Sequence, residues 1–166
     1  MKRAITPPIN SQNDIAETQV SAIQVFVMDE YEPVLLGLVK LIQGEYPHMH
    51  LVGTASTRSA AITGVIQQKP DVVMLDYGLG NDSTLTFLSQ LAVLGHHRIL
   101  MLIGQEYSPE LGRRLLALGA CGVISKEAPA ELLIHAIECA YEQGHWCDLF
   151  MQENPVTERR HFLRQH

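Results

Sequence analysis

The run Asp71-Val72-Val73-Met74-Leu75-Asp76 is unbroken apolar sequence between two aspartates. Strands with one face in water alternate apolar and polar side chains. Strands covered on both faces lose that alternation, as those of parallel sheets do. The run therefore reads as an inner strand of such a sheet. Its last residue is the anomaly. A carboxylate that closes an apolar central strand loses hydration, so a partner or a chemical task is expected at Asp76.

Outward from this run, strand and helix signals alternate in both directions. Upstream, Ile23 to Met28 is a short β-rich run. Pro33 sits at a first helical position, and Val34, Leu35, Leu38, Val39 and Ile42 repeat at helical spacing as far as Gly44. His50 to Ala55 reads as a second strand and Thr57 to Gln68 as a second helix. Downstream, Asn81-Asp82-Ser83 marks a helix start, and Leu85, Phe87, Leu88, Leu91 and Leu94 supply its apolar face. Arg98 to Ile103 is a fourth strand, and Ser108-Pro109 caps a fourth helix that ends at Gly119. Cys121 to Ser125 is a fifth strand. Pro129 opens a last helix, with Leu132, Leu133, Ala136, Ile137 and Ala140 inside and Gly144 at its end. Five β-α repeats with short connections predict an α/β fold, a doubly wound five-stranded parallel sheet with helices on both faces.

The ends differ from this middle. Residues 1–21 are polar, carry Pro7-Pro8 and show no periodicity, which predicts a flexible arm. One domain is expected over 22–148 and a tail over 149–166. The chain of 166 residues is 46% hydrophobic, enough to fill one sizeable core. A formal net charge of −6 argues against direct nucleic-acid binding by this chain. The longest apolar runs, such as Ile99 to Ile103, are far too short to span a bilayer. Lys2 and Arg3 lead into no hydrophobic stretch, so no signal peptide is read and a cytoplasmic location without membrane contact is expected.

Other chemistries find little support. Cys121, Cys139 and Cys147 are odd in number and lack C-x-x-C spacing, which predicts neither a disulfide framework nor a zinc knuckle. Cys121 reads as a small core residue of a strand. The histidines, His48, His50, His96, His97 and His135 among them, read as surface residues without the spacing or cysteine company of a zinc site. Gly78-Leu79-Gly80 lacks the further glycine of a dinucleotide fingerprint and a Walker lysine. A flavin-binding sheet needs a phosphate-cradling loop after the first strand, where this chain puts Asp29-Glu30; acid there repels phosphate unless a metal intervenes.

In doubly wound sheets the functional site lies beyond the carboxyl ends of the strands. There the first strand delivers Asp29 and Glu30, the third Asp76, the fourth Ile103 and Gly104, and the fifth Lys126. Three carboxylates and one ammonium should then converge. Crowded carboxylates raise one another's pKa unless a cation joins them. A hard divalent ion with oxygen ligands fits, Mg²⁺ being the usual one beside a phosphate. A metal-bound carboxylate next to a lysine can act as a nucleophile towards phosphorus, with both cations neutralising the phosphoryl oxygens. Singly, Asp29, Glu30 and Lys126 could each merely serve a following helix. Four such residues at the expected strand ends are hard to attribute to chance.

These pieces resemble the receiver domains of the NarL/LuxR class of two-component response regulators. The likeness runs from about Ile23 to Asp148. It is carried by Met28-Asp29-Glu30, the "PDVVMLD" strand ending in Asp76, "LLALGACGVISKEAP" around Lys126, and "EQGHWCD" after the last helix. The resemblance implies strand order 2-1-3-4-5 and Asp76 as phospho-acceptor. It implies Mg²⁺ held by Asp29, Glu30, Asp76 and the backbone carbonyl of Gly78, with Lys126 on the phosphoryl group. The implied donor is a sensor histidine kinase or phosphotransfer protein. The implied role is relay by protein–protein contact, with a possible homodimer, in transcription regulation. Such a domain accepts phosphate and is not an enzyme beyond slow self-dephosphorylation.

Departures from the pattern open an alternative. The fourth strand of such domains usually ends in Thr or Ser, and here it ends in Ile103, which cannot hydrogen-bond. The aromatic often found three residues before the lysine is replaced by Val123, and Gly80 stands where proline is common. The alternative is a phosphorylation-independent interaction or dimerisation module. Regulators of this class normally carry a helix-turn-helix output domain. Asn154 to Leu163 faintly resembles the opening of one, with Thr157 as a fair N-cap, but cannot form three helices.

Overall fold

The computed structural model describes residues 21–78, 82–105 and 107–145. Residues 1–20 of the arm expected over 1–21, Leu79 to Asn81, Glu106, Trp146 to Asp148 and the tail expected over 149–166 lie outside the described residues. In chain order the elements are β1 (Ile23–Met28), α1 (Glu32–Gly44), β2 (Met49–Ala55), α2 (Arg58–Gln68) and β3 (Val72–Asp76). Then follow α3 (Asp82–Ala92), β4 (Arg98–Ile103), α4 (Pro109–Ala117), β5 (Gly122–Ser125) and α5 (Ala130–Gln143). The sheet is five-stranded and parallel, in the order β2-β1-β3-β4-β5.

β3 is central, and its register sets Asp76 opposite Leu102 of β4. All five of its residues are buried, as the unbroken apolar run requires. Each strand feeds two cores in turn. Phe26, Met28, Val73, Leu75, Ile99, Met101, Ile103 and Val123 face α2, α3 and α4. Val25, Val27, Val72, Met74, Leu100, Leu102 and Ile124 face α1 and α5. Alternation is thus present in space, but both faces are apolar, so it is invisible as polarity.

Local chemistry sets the helix ends. Thr57 Oγ1 accepts from the Ala60 N–H at 3.3 Å, and Ser108 Oγ accepts from the Leu111 N–H at 3.1 Å. Gly144 closes α5 at φ +75°, a left-handed conformation that favours glycine. Pro129 precedes the first helical residue, and its carbonyl accepts from the Leu132 and Leu133 N–H groups. Asp71 lies just outside β3, and its carboxylate accepts the Gln24 N–H at 2.8 Å. Cys121 is half-buried, immediately before β5, and burial pushes its thiol up to about 11. It is therefore a protonated, unreactive packing residue at neutral pH. Glycines at 53 and 64 make room for the Phe26 ring: a Cβ there would stand 2.7 and 2.5 Å from it. No described helix is long and apolar enough to cross a membrane.

His97 ties the end of α3 to β4, its Nε2 lying 3.0 Å from the Leu91 carbonyl. Burial lowers its pKa more than that hydrogen bond raises it. The unfolded chain therefore binds a proton at higher pH than the folded one. The contribution of the neutral ring is complete above the ordinary histidine pKa and is lost as pH falls below it. Unfolding free energy measured in urea should therefore decline from pH 7.5 to pH 5.5, and the slope should flatten in His97→Asn. Equal slopes in the two proteins would contradict this assignment.

Candidate functional site

Three strand ends build the site. Asp29 follows β1, and its N–H still donates to the Ala55 carbonyl at 3.2 Å, so sheet pairing carries it to the edge. Its side chain is fully buried. Oδ1 accepts the Tyr31 N–H at 2.8 Å, which turns the chain into α1. Asp76 ends β3, and the next residue, Tyr77, donates its N–H to the Leu102 carbonyl at 2.8 Å. Gly78 then adopts φ +65°, and its N–H donates to Asp76 Oδ1 at 2.8 Å. A side chain at that φ would be strained, so glycine fixes this turn.

Lys126 follows β5 and donates its own N–H to the Ile103 carbonyl at 2.9 Å. Its Nζ stands 2.7 Å from Asp29 Oδ2 and 2.6 Å from Asp76 Oδ1. One ammonium thus bridges two carboxylates from different strands. Burial pushes Asp29 up, and the Asp76 charge adds to this; hydrogen bonds from Lys126 and Tyr31 oppose it without cancelling it. Burial would lower Lys126, but its hydrogen bonds to Asp29 and Asp76 and their charges outweigh this and raise it. The ammonium is therefore held charged at neutral pH.

Glu30 is exposed and lines a small recess of about 70 Å³ with Asp76 and Gly78. With all groups ionised, Asp29, Glu30 and Asp76 outnumber Lys126 by two charges. An all-oxygen donor set with that excess fits a hard divalent cation such as Mg²⁺. The carboxylates are not gathered around one point: among the described residues no group of three acidic, histidine or cysteine side chains is arranged to hold an ion. Lys126 takes up the space between two of them. Asp76 Oδ1 is engaged twice, whereas Oδ2 accepts no hydrogen bond among the described residues.

Ile103 and Val123 are each 1% exposed and pack in the core beside α4. Neither can offer a hydroxyl or a ring at the site. The recess also contains residues that sequence reasoning did not assign to the site, Phe87 having been read only as part of an apolar helix face. Arg58, in the first turn of α2, and Thr84 and Phe87 of α3 line it. The only signal for Arg58 was the N-cap Thr57, which fixes where α2 begins. Elsewhere, His135 does have cysteine company. Its Nε2 lies 3.3 Å from Cys139 Sγ, one turn along α5, while Glu138 meets His48 Nε2 at 3.0 Å. On the exposed side of α4, Arg113 pairs with Glu110 at 3.1 Å within the helix.

Comparison with known proteins agrees with this fold. The profile of the response regulator receiver domain family matches residues 25–138. Oxygen regulatory protein NreC of Staphylococcus aureus (strain JH9) is 26% identical over 137 residues, 82% of this chain and 63% of that protein. NreC of Staphylococcus haemolyticus is 24% identical over the same shares. The chain thus spans less than two thirds of the length of these relatives, 63%. Among solved structures, the signal receiver domain of the putative response regulator NarL from Mycobacterium tuberculosis superposes with a TM-score of 0.65 at 23% identity, covering 74% of this chain and 98% of that one. A LuxR-family two-component response regulator from Aurantimonas sp. SI85-9A1 gives 0.70 at 21% identity, covering 84% and 99%. At such identities the structural likeness speaks for the fold.

Proposed function

Because the chain belongs to the response regulator receiver domain family, we propose that it accepts a phosphoryl group on Asp76 and relays this change by protein–protein contact. The observation that carries this reading is the Lys126 ammonium, 2.6 Å from Asp76 and 2.7 Å from Asp29 at the carboxyl edge of the sheet. An acceptor carboxylate, an acidic neighbour and a fixed cation are the parts that phosphoryl uptake on an aspartate needs.

In the proposed transfer, Asp76 Oδ2 forms a bond to phosphorus as the bond from phosphorus to a donor phosphohistidine nitrogen breaks. The electron pair of that bond stays on the imidazole. Gly78 and Lys126 hold Oδ1 and leave Oδ2 to take the incoming phosphorus. The Lys126 ammonium, kept charged by its two carboxylates, stabilises the negative phosphoryl oxygens. Asp29, Glu30, Asp76 and the Gly78 carbonyl would hold Mg²⁺, which supplies further neutralisation of phosphoryl charge. The donor would be a sensor histidine kinase or phosphotransfer protein. A homodimer, a part in transcription regulation, a cytoplasmic location and a domain spanning 22–148 between an arm and a tail belong to the same proposal.

A second reading, an interaction module that works without phosphorylation, is favoured by one observation: the switch positions Ile103 and Val123 are apolar and closed into the core. Amide NMR during titration with Mg²⁺ and then beryllofluoride separates the two. Phosphoryl acceptance predicts shifts at Asp76, Tyr77, Gly78 and Lys126. An unchanged spectrum would favour the second reading.

A further inference from the structure

We propose that Arg58, braced by Thr84, is a second cationic contact for the phosphoryl group, placed in the recess that it lines together with Asp76. This rests on the reading of Asp76 as acceptor. Thr57 caps α2 and so starts the helix at the carboxyl edge of the sheet, with Arg58 as its first residue. The side chain is half-buried and lines the recess that also contains Asp76.

Two fixed neighbours hold the guanidinium. Nη2 donates to Thr84 Oγ1 at 3.2 Å, and the guanidinium carbon lies 5.8 Å from the centre of the Phe87 ring. Thr84 and Phe87 are both buried in α3, so the platform is rigid. A guanidinium on an aromatic face is pre-organised and loses little freedom when it binds. Among the described residues, no carboxylate lies within ion-pair distance of it.

A charged group so placed, with no anionic partner among the described residues, suits an arriving oxyanion. The planar fork of N–H donors matches phosphate geometry, and hydrogen bonds from a charged donor are the strong ones. Lys126 already serves Asp76 Oδ1 from the β5 side. Arg58 approaches from α2, so the phosphoryl oxygens would meet cations on two sides. A merely structural Arg58 would affect folding stability and leave oxyanion affinity alone.

The test is the affinity of the full chain for beryllofluoride in the presence of Mg²⁺, read by ¹⁹F NMR of the bound fluorides. Wild type, Arg58→Gln and Arg58→Lys are compared, with melting temperatures taken without ligand. Arg58→Gln should need roughly tenfold more beryllofluoride for half-saturation, the size of one lost charge-assisted hydrogen bond. Saturable binding in wild type with an unchanged affinity in Arg58→Gln would overturn the Arg58 contact while leaving Asp76 as acceptor. No binding by wild type would remove the acceptor reading and the Arg58 contact with it. Should Arg58→Gln fail to fold, Arg58→Lys decides. It keeps the charge and loses the fork, so a several-fold weaker affinity is expected and an affinity equal to wild type overturns the proposal.

Discussion

The Lys126→Met variant should lose about 3 kcal/mol of folding stability, the low end of the range for breaking a buried ion pair. The low end applies because the Lys126 side chain is 21% exposed, although Asp29 is fully buried. Methionine fills the volume of the stem but removes the only cation within reach of both carboxylates among the described residues. Asp29 and Asp76 then face each other in a poorly hydrated edge, and Asp29 already suffers from burial and from the charge of Asp76. Urea unfolding at pH 7.5 measures the loss. Adding Asp29→Asn to the variant should restore part of it, because residues in one network couple strongly. A loss well under 1 kcal/mol would mean that the ammonium is not what reconciles these carboxylates.

Leu102→Ala should be of similar size, about 2–5 kcal/mol, as for other large-to-small changes in a close-packed core. Leu102 is fully buried, packs towards α1 and α5, and lies opposite Asp76 in the register. Its carbonyl, which the substitution keeps, accepts the Tyr77 N–H that positions the turn after Asp76. The variant should therefore unfold at lower urea with an unchanged m-value while still accepting a phosphoryl group when folded. A folded Leu102→Ala protein that cannot be phosphorylated would show that the site depends on side-chain packing below it.

Much of this was legible in the sequence because parallel sheets deliver strand ends to one edge. The apolar run before Asp76 identified an inner strand, and the same logic brought Asp29 and Lys126, 97 residues apart, to one place. The helices were readable from apolar spacing and from the cap at Ser108, whereas the cap at Thr57 is a finding of the structure. Element ends differed by a residue or so where pairing, rather than composition, decides them, as at Asp71 and Cys121. Arg58 and Thr84 could not be read in this way. They meet across α2 and α3, whose mutual approach is fixed by packing on the sheet. The need for glycine at 53 and 64 was hidden for the same reason, since it comes from the Phe26 ring of another element. The His135–Cys139 contact spans one turn of α5, so its i, i+4 spacing is legible in the sequence.

Intact-mass spectrometry after incubation with Mg²⁺ and acetyl phosphate, on wild type and Asp76→Asn, tests the central claim most directly. Phosphoryl uptake on Asp76 predicts one added phosphoryl group on wild type and none on the variant. An unmodified wild-type mass, or equal modification of both proteins, would contradict it.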